Sequence, residues 1–215
     1  MNKENAIKIF CISILYGSLW GICEAVLGYV LHLIPFGVSG FVMFPVGFYF
    51  MNKGYKQTQN INTIFFIGFI AAAIKLVDFF LPFVPLRMII DPAVSILLES
   101  LIIVFAFKLF VSKSGGLGMT GIVFSSVVWR VLFVLYMFFL TLFSIPSGML
   151  NSGFVYLIKF MLFEGVINAV VIYIFARTGS VKKLTILPNK FQRKPIILAG
   201  IFMAALITTL VFSAL

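Results

Sequence analysis

The sequence predicts an all-α protein of the polytopic membrane class: a bundle of six to seven transmembrane helices, the second short or broken. Three observations carry that prediction. Of the 215 residues, 62% are hydrophobic and only 10% charged, whereas water-soluble domains carry about 25% charged residues. Mean hydropathy is +1.19. Apolar runs recur at 6–33, 37–51, 61–81, 93–111, 117–143, 153–176 and 196–214, most of them near the ~20 residues a helix needs to cross a bilayer. Strands are not required, because only helices and closed barrels satisfy their backbone in lipid. The organisation that follows is a membrane core over 1–176, a basic loop over 177–195 and an extra C-terminal transmembrane helix over 196–215.

The first run begins MNKENAIKIF and continues without an A-x-A-like cleavage site, so it is expected to be a retained span. Its stretch SLWGICEAVLGYVLHLIP at 18–35 carries Glu24 and the single histidine, His32. Cys11 and Cys23 lie twelve apart on this one helix, too far for a disulfide, and read as small core residues. Ser13, Gly17, Gly21 and Ala25 recur every fourth residue. That spacing lets helix backbones approach closely, either within the chain or at a docking groove for a partner. The second run, FGVSGFVMFPVGFYFM, is interrupted by Pro45 and is expected to be distorted or re-entrant.

Connections set the orientation. The segment 177–195 holds Arg177, Lys182, Lys183, Lys190, Arg193 and Lys194 with no acid, and the positive-inside rule makes it cytoplasmic. Counting back places 112–116 and 52–60 inside, and 82–92 and 144–152 outside. If the second run crosses, the N-terminus with Lys3 and Lys8 is cytoplasmic too. Asp91-Pro92 reads as an N-cap followed by proline at the first helical position, and Pro195 opens the last helix in the same way. The third and fourth runs form a hairpin with Lys75 and Glu99. The fifth and sixth repeat that plan with Arg130 and Glu164, as transporter repeats do.

Five of the six acids, Glu24, Asp78, Asp91, Glu99 and Glu164, fall in or beside predicted spans, with Lys75, Arg130 and Lys159 for company. Each charge near a helix centre costs roughly 2.5–3.5 kcal/mol on insertion scales, so such groups pair or face water. Most of them lie in the outer halves of their helices. The reading is a binding pocket open to the outside, lined by Glu24, Lys75, Asp78, Glu99, Arg130 and Glu164. Trp20 and Trp129 are stacking partners and His32 lies at the mouth. Paired neutralisation competes with it: Lys75 with Asp78 on one helix, or Lys75–Glu99 and Arg130–Glu164 as interhelical locks. Near-equal numbers of acids and bases favour a polar or zwitterionic solute.

The net charge of +10 sits mostly in short connections, with no basic helix or stacking platform outside the membrane, so nucleic acid is not an expected partner. GLGMTG at 116–121 matches a dinucleotide pattern literally, but it lacks the strand that pattern requires. No P-loop, H-E-x-x-H or G-x-S-x-G occurs. The expectation is a non-enzyme without cofactor or metal.

The length, the short-looped helices, the outer-half polar cavity, the absent ATPase motif and the small-residue stripe together resemble the S components of energy-coupling factor transporters. The stripe offers Gly17-Ser-Leu-Trp-Gly21 and Gly21-Ile-Cys-Glu-Ala25. The likeness is architectural and spans roughly 6–176; glycines stand where that family uses an Ala-x-x-x-Ala-type pattern, and the last helix exceeds its six-helix plan. The resemblance implies a solute-binding membrane subunit for a small micronutrient, docked through Ser13, Gly17, Gly21 and Ala25 onto a transmembrane scaffold with ATPase subunits. The alternatives are a proton-coupled secondary transporter using Glu24 or Glu164, and a membrane enzyme or assembly subunit.

Overall fold

Apolar residues on every side of the long helices leave no polar face for water. The computed structural model, which describes residues 3–32, 39–112, 115–145, 148–177 and 194–214, is a bundle of such helices. In chain order they are α1 (Lys3–His32), α2 (Ser39–Thr58), α3 (Asn62–Leu76), α4 (Leu86–Phe110), α5 (Met119–Leu142), α6 (Gly148–Asn151), α7 (Phe154–Ile158), α8 (Glu164–Arg177) and α9 (Pro195–Ala214). A 3-10 turn, Val77–Phe80, extends α3, and a π-helical turn, Lys159–Phe163, joins α7 to α8. Among the described residues there is no strand beyond one isolated bridge between Val111 and Leu117. Among the described residues, six helices are long and apolar enough to cross a membrane, with Phe154–Phe175 acting as one of them. The chain is a multi-pass membrane protein. Most of the basic segment 177–195 lies outside the described residues.

Two local expectations fail for physical reasons. The second helix is not broken at Pro45 but runs uninterrupted over Ser39–Thr58, past its expected end and through Lys53 and Lys56. Pro45 cannot donate to the carbonyl of Phe41. Tight packing compensates, with Met43, Phe44, Phe48, Phe50 and Met51 all buried. This helix is not among the six apolar spans; its place in the bundle comes from its neighbours rather than from hydropathy. The second failure is the cap at Asp91. Helix α4 starts at Leu86 with Pro85 as its N-cap, so Asp91 and Pro92 lie inside it. The Asp91 carboxylate accepts from Arg87 one turn earlier, at 2.9 and 3.1 Å, rather than from the backbone. Pro195 does open α9 as expected.

Contacts fix the helix directions. Gly17 and Gly21 of α1 meet Ile70 and Ile74 of α3 in the same order, so α1 and α3 are parallel. Trp20 meets Gly47, while Tyr16 meets Phe50 and receives a 2.7 Å hydrogen bond from Gln57, so α2 is antiparallel to α1. The start of α1 therefore lies at the same end of the bundle as the end of α2. Lipid-facing positions are marked by exposed large apolar side chains such as Phe10, Phe80, Phe105, Phe138 and Phe154.

Candidate functional site

One end of the bundle holds a cavity of about 290 Å³, at the lower edge of the ~300–1,000 Å³ typical of ligand pockets. Four main stretches build it, and regular spacing explains why. Helix α4 contributes Asp91, Ser95 and Glu99, each four residues after the last, and α5 contributes Trp129, Phe133 and Met137 in the same rhythm. Helix α1 adds Glu24 and Gly28, and α7 with the π-helical turn adds Tyr156 and Phe160. Residues four apart share one face of a helix, so each helix presents a stripe to the cavity. Gly40 and Met43 from the start of α2 complete the inner wall. Single-turn π-segments of this kind often occur at functional sites.

Among the described residues, the charged residues of the lining are all carboxylates. Asp91 is committed at the mouth: Oδ2 accepts from Arg87, and Oδ1 accepts from the Tyr136 hydroxyl at 3.1 Å. Arg87 is braced further by the Met137 sulfur at 3.0 Å. Glu99 is only 3% exposed. Its Oε1 accepts a 3.2 Å hydrogen bond from Ser95, while Oε2 is buried without a hydrogen-bond partner among the described residues. Glu24 is half-buried and faces the same space. The ion pairs among the described residues are Lys75–Asp78 and Arg87–Asp91, so neither Glu24 nor Glu99 belongs to one.

Arg130 is fully buried behind the wall rather than in it. Its guanidinium donates to the Ser126 carbonyl at 2.7 Å and to the Gly40 carbonyl at 3.3 Å. It also lies over Trp129, 4.6 Å from the ring centroid, and near Phe160 at 5.4 Å. Trp129 in turn stacks on Phe44 with centroids 5.5 Å apart. Asn168 supports the same Gly40 carbonyl at 3.4 Å. Charges couple along the series Lys75, Glu24, Glu99, Arg130, Glu164 and Lys159, each acting electrostatically on the next.

Of the residues expected to line the pocket, Glu24, Glu99 and Trp129 do. Lys75 and Asp78 do not: they pair at 2.7 Å, and the Ser213 hydroxyl of α9 donates to the same Asp78 oxygen at 2.7 Å. The pair therefore ties the end of α3 to α9. Arg130 and Glu164 lie outside the lining, and Arg130 is bonded to carbonyls rather than to Glu164. Trp20 is fully buried against Gly47 and cannot stack on a solute. His32 closes α1, and its side chain lies outside the described residues. The expected docking stripe is also corrected. Ser13 and Ala25 are buried, and Gly17 and Gly21 admit Ile70 and Ile74 of α3, so the stripe packs within the chain.

Asp91, Ser95, Phe133, Met137, Tyr156 and Phe160 are lining residues that sequence reading missed. A four-residue rhythm of polar or aromatic residues through Glu99 and through Trp129 was available as a signal. Among the described residues, no group of three or more His, Cys, Asp or Glu side chains is placed to hold a metal ion. No known protein family, no curated protein and no solved structure matches this chain.

Proposed function

We propose that this protein is the solute-binding membrane subunit of an uptake system for a small polar nutrient, energised by partner ATPases. One observation carries the reading: a cavity at one end of the bundle into which two carboxylates from different helices, Glu24 and Glu99, project without an ion pair. Intramembrane ionisable groups facing a cavity mark substrate or ion routes by default. The start of α9, which follows the basic segment 177–195 in the sequence, packs through Leu198 against Cys11 and Leu15 of α1, at the opposite end of the bundle from the cavity. The positive-inside rule then puts that end in the cytoplasm and turns the cavity outward. The start of α1 shares the basic end, which makes the N-terminus cytoplasmic as well.

Size, helix number and the outward cavity support the likeness to the S components of energy-coupling factor transporters. The glycine stripe no longer does, because it is spent on α3. The test is thermal unfolding of the purified full chain against a micronutrient panel, with uptake measured in cells and in proteoliposomes. A ligand that raises the melting temperature, with uptake requiring ATP and a partner, is the expected result. Uptake by the chain alone, abolished by a protonophore, would transfer the assignment to a secondary transporter. A broad panel with no stabilising ligand would remove the capture reading.

A further inference from the structure

We infer that the cavity selects a small organic monocation, a protonated amine carrying an apolar or aromatic body. The inference rests on the solute-binding reading and narrows its substrate class. Near-equal numbers of acids and bases in and beside the spans favour a polar or zwitterionic solute, but the packing sorts those charges differently.

Among the described residues, each basic side chain at this end of the bundle has another task or another place. Arg87 is held by Asp91 and Met137 at the mouth. Lys75 is held by the buried Asp78. Arg130 is pinned to two backbone carbonyls behind Trp129. Lys159 does not line the cavity and is exposed. Neither Arg130 nor Lys75 forms an ion pair with Glu99 or Glu24 among the described residues. Of the three carboxylates that line the cavity, Glu24, Asp91 and Glu99, only Asp91 belongs to an ion pair among the described residues. A positive charge on a guest would meet the other two.

Glu99 places that charge. Its Oε2 is buried, unpartnered among the described residues, and sits in the cavity wall. A buried carboxylate oxygen without a donor is costly, and a charged N–H donor is its strongest partner. Phe133, Tyr156 and Phe160 line the same space, so a cation with an apolar body fits better than a hydrated inorganic ion. The absence of a metal-competent side-chain cluster among the described residues points the same way.

The test uses the full chain in nanodiscs with four probes of similar size: benzylamine, benzyltrimethylammonium, benzyl alcohol and phenylacetate. Thermal shift and competition titration are measured at millimolar concentrations for the wild type, Glu99→Gln, Glu24→Gln and Gly28→Leu. Gly28 lines the cavity, and a Cβ there meets nothing within 4 Å, so a leucine is expected to enter the space. The expected result is stabilisation by benzylamine, less by benzyltrimethylammonium, which has no N–H to donate, and none by the neutral or anionic probe. Glu99→Gln should weaken cation binding roughly tenfold or more, as expected when a charged hydrogen-bond partner is removed. Gly28→Leu should abolish it. If Glu99→Gln does not fold, the same loss is required of Glu24→Gln. Equal or better binding of benzyl alcohol or phenylacetate, or cation binding indifferent to both glutamine variants, would overturn the cation assignment and leave solute capture standing. No response to any probe, together with none to the micronutrient panel, would remove both.

Discussion

Asp78 shows why a charge inside a membrane protein need not belong to its site. It is fully buried, with Lys75 and the Ser213 hydroxyl both donating to Oδ2 at 2.7 Å. Breaking a buried pair from one side strands the other charge, at about 3–5 kcal/mol. Asp78→Ala is therefore expected to lower thermal stability sharply in a detergent melt. Asp78→Ala combined with Lys75→Met should recover much of the loss, while Ser213→Ala should cost only ~1 kcal/mol. None of the three should change solute binding by more than the stability loss explains. Arg130 gives a second case. Its planar fork spans the Ser126 and Gly40 carbonyls while lying over Trp129, a geometry that a lysine ammonium cannot copy. Arg130→Lys should destabilise by roughly 1–3 kcal/mol by the same melt, although the charge is kept. The sequence marked Lys75, Asp78 and Arg130 as special because buried charge is rare. It could not say whether each met a neighbour or a guest, since that depends on where the side chain points.

At the scale of elements, helix positions were largely legible, because hydropathy and backbone hydrogen bonding are local properties of a segment in lipid. Two prolines misled for one shared reason. Pro45 in α2 and Pro92 in α4 are both tolerated inside helices, where packed neighbours offset the lost hydrogen bond. The glycine stripe of α1 was recognised as a close-packing surface but not assigned to a partner. Its partner is α3: a Cβ on Gly17 would lie 2.7 Å from Cβ of Ile70 and 2.9 Å from the Ile67 carbonyl oxygen. Overpacking of this kind costs typically 1–3 kcal/mol. Gly17→Val is thus expected to lower the melting temperature by several degrees. The same change at Gly28, which faces open space, should leave it near wild type. Equal tolerance at both positions would show that α1 and α3 do not meet as described.

For the whole molecule, helix direction has a consequence that labelling can check. Helix α3 and its 3-10 extension, Asn62–Phe80, are long enough to cross the membrane, so the connection after α2 and the connection between α3 and α4 lie at opposite ends. With Cys11 and Cys23 replaced by alanine, Phe83→Cys should react with an impermeant maleimide added outside cells. Lys56→Cys should react only after permeabilisation. Labelling of both from one side would refute the crossing of α3. The sequence by itself determined that this chain is a multi-pass helical membrane protein, and it located most of the spans, because the demand to bury backbone polar groups in hydrocarbon acts on each segment alone. It also marked Glu24, Glu99 and Trp129, since such residues are conspicuous in apolar runs. Only the tertiary structure decided that Lys75, Asp78, Arg130 and Trp20 serve packing, that Asp91 belongs to the mouth of the cavity, and that the cavity's own charges share one sign. Those outcomes depend on how each helix is rotated against its neighbours, and rotation is set by contacts between residues far apart in the chain.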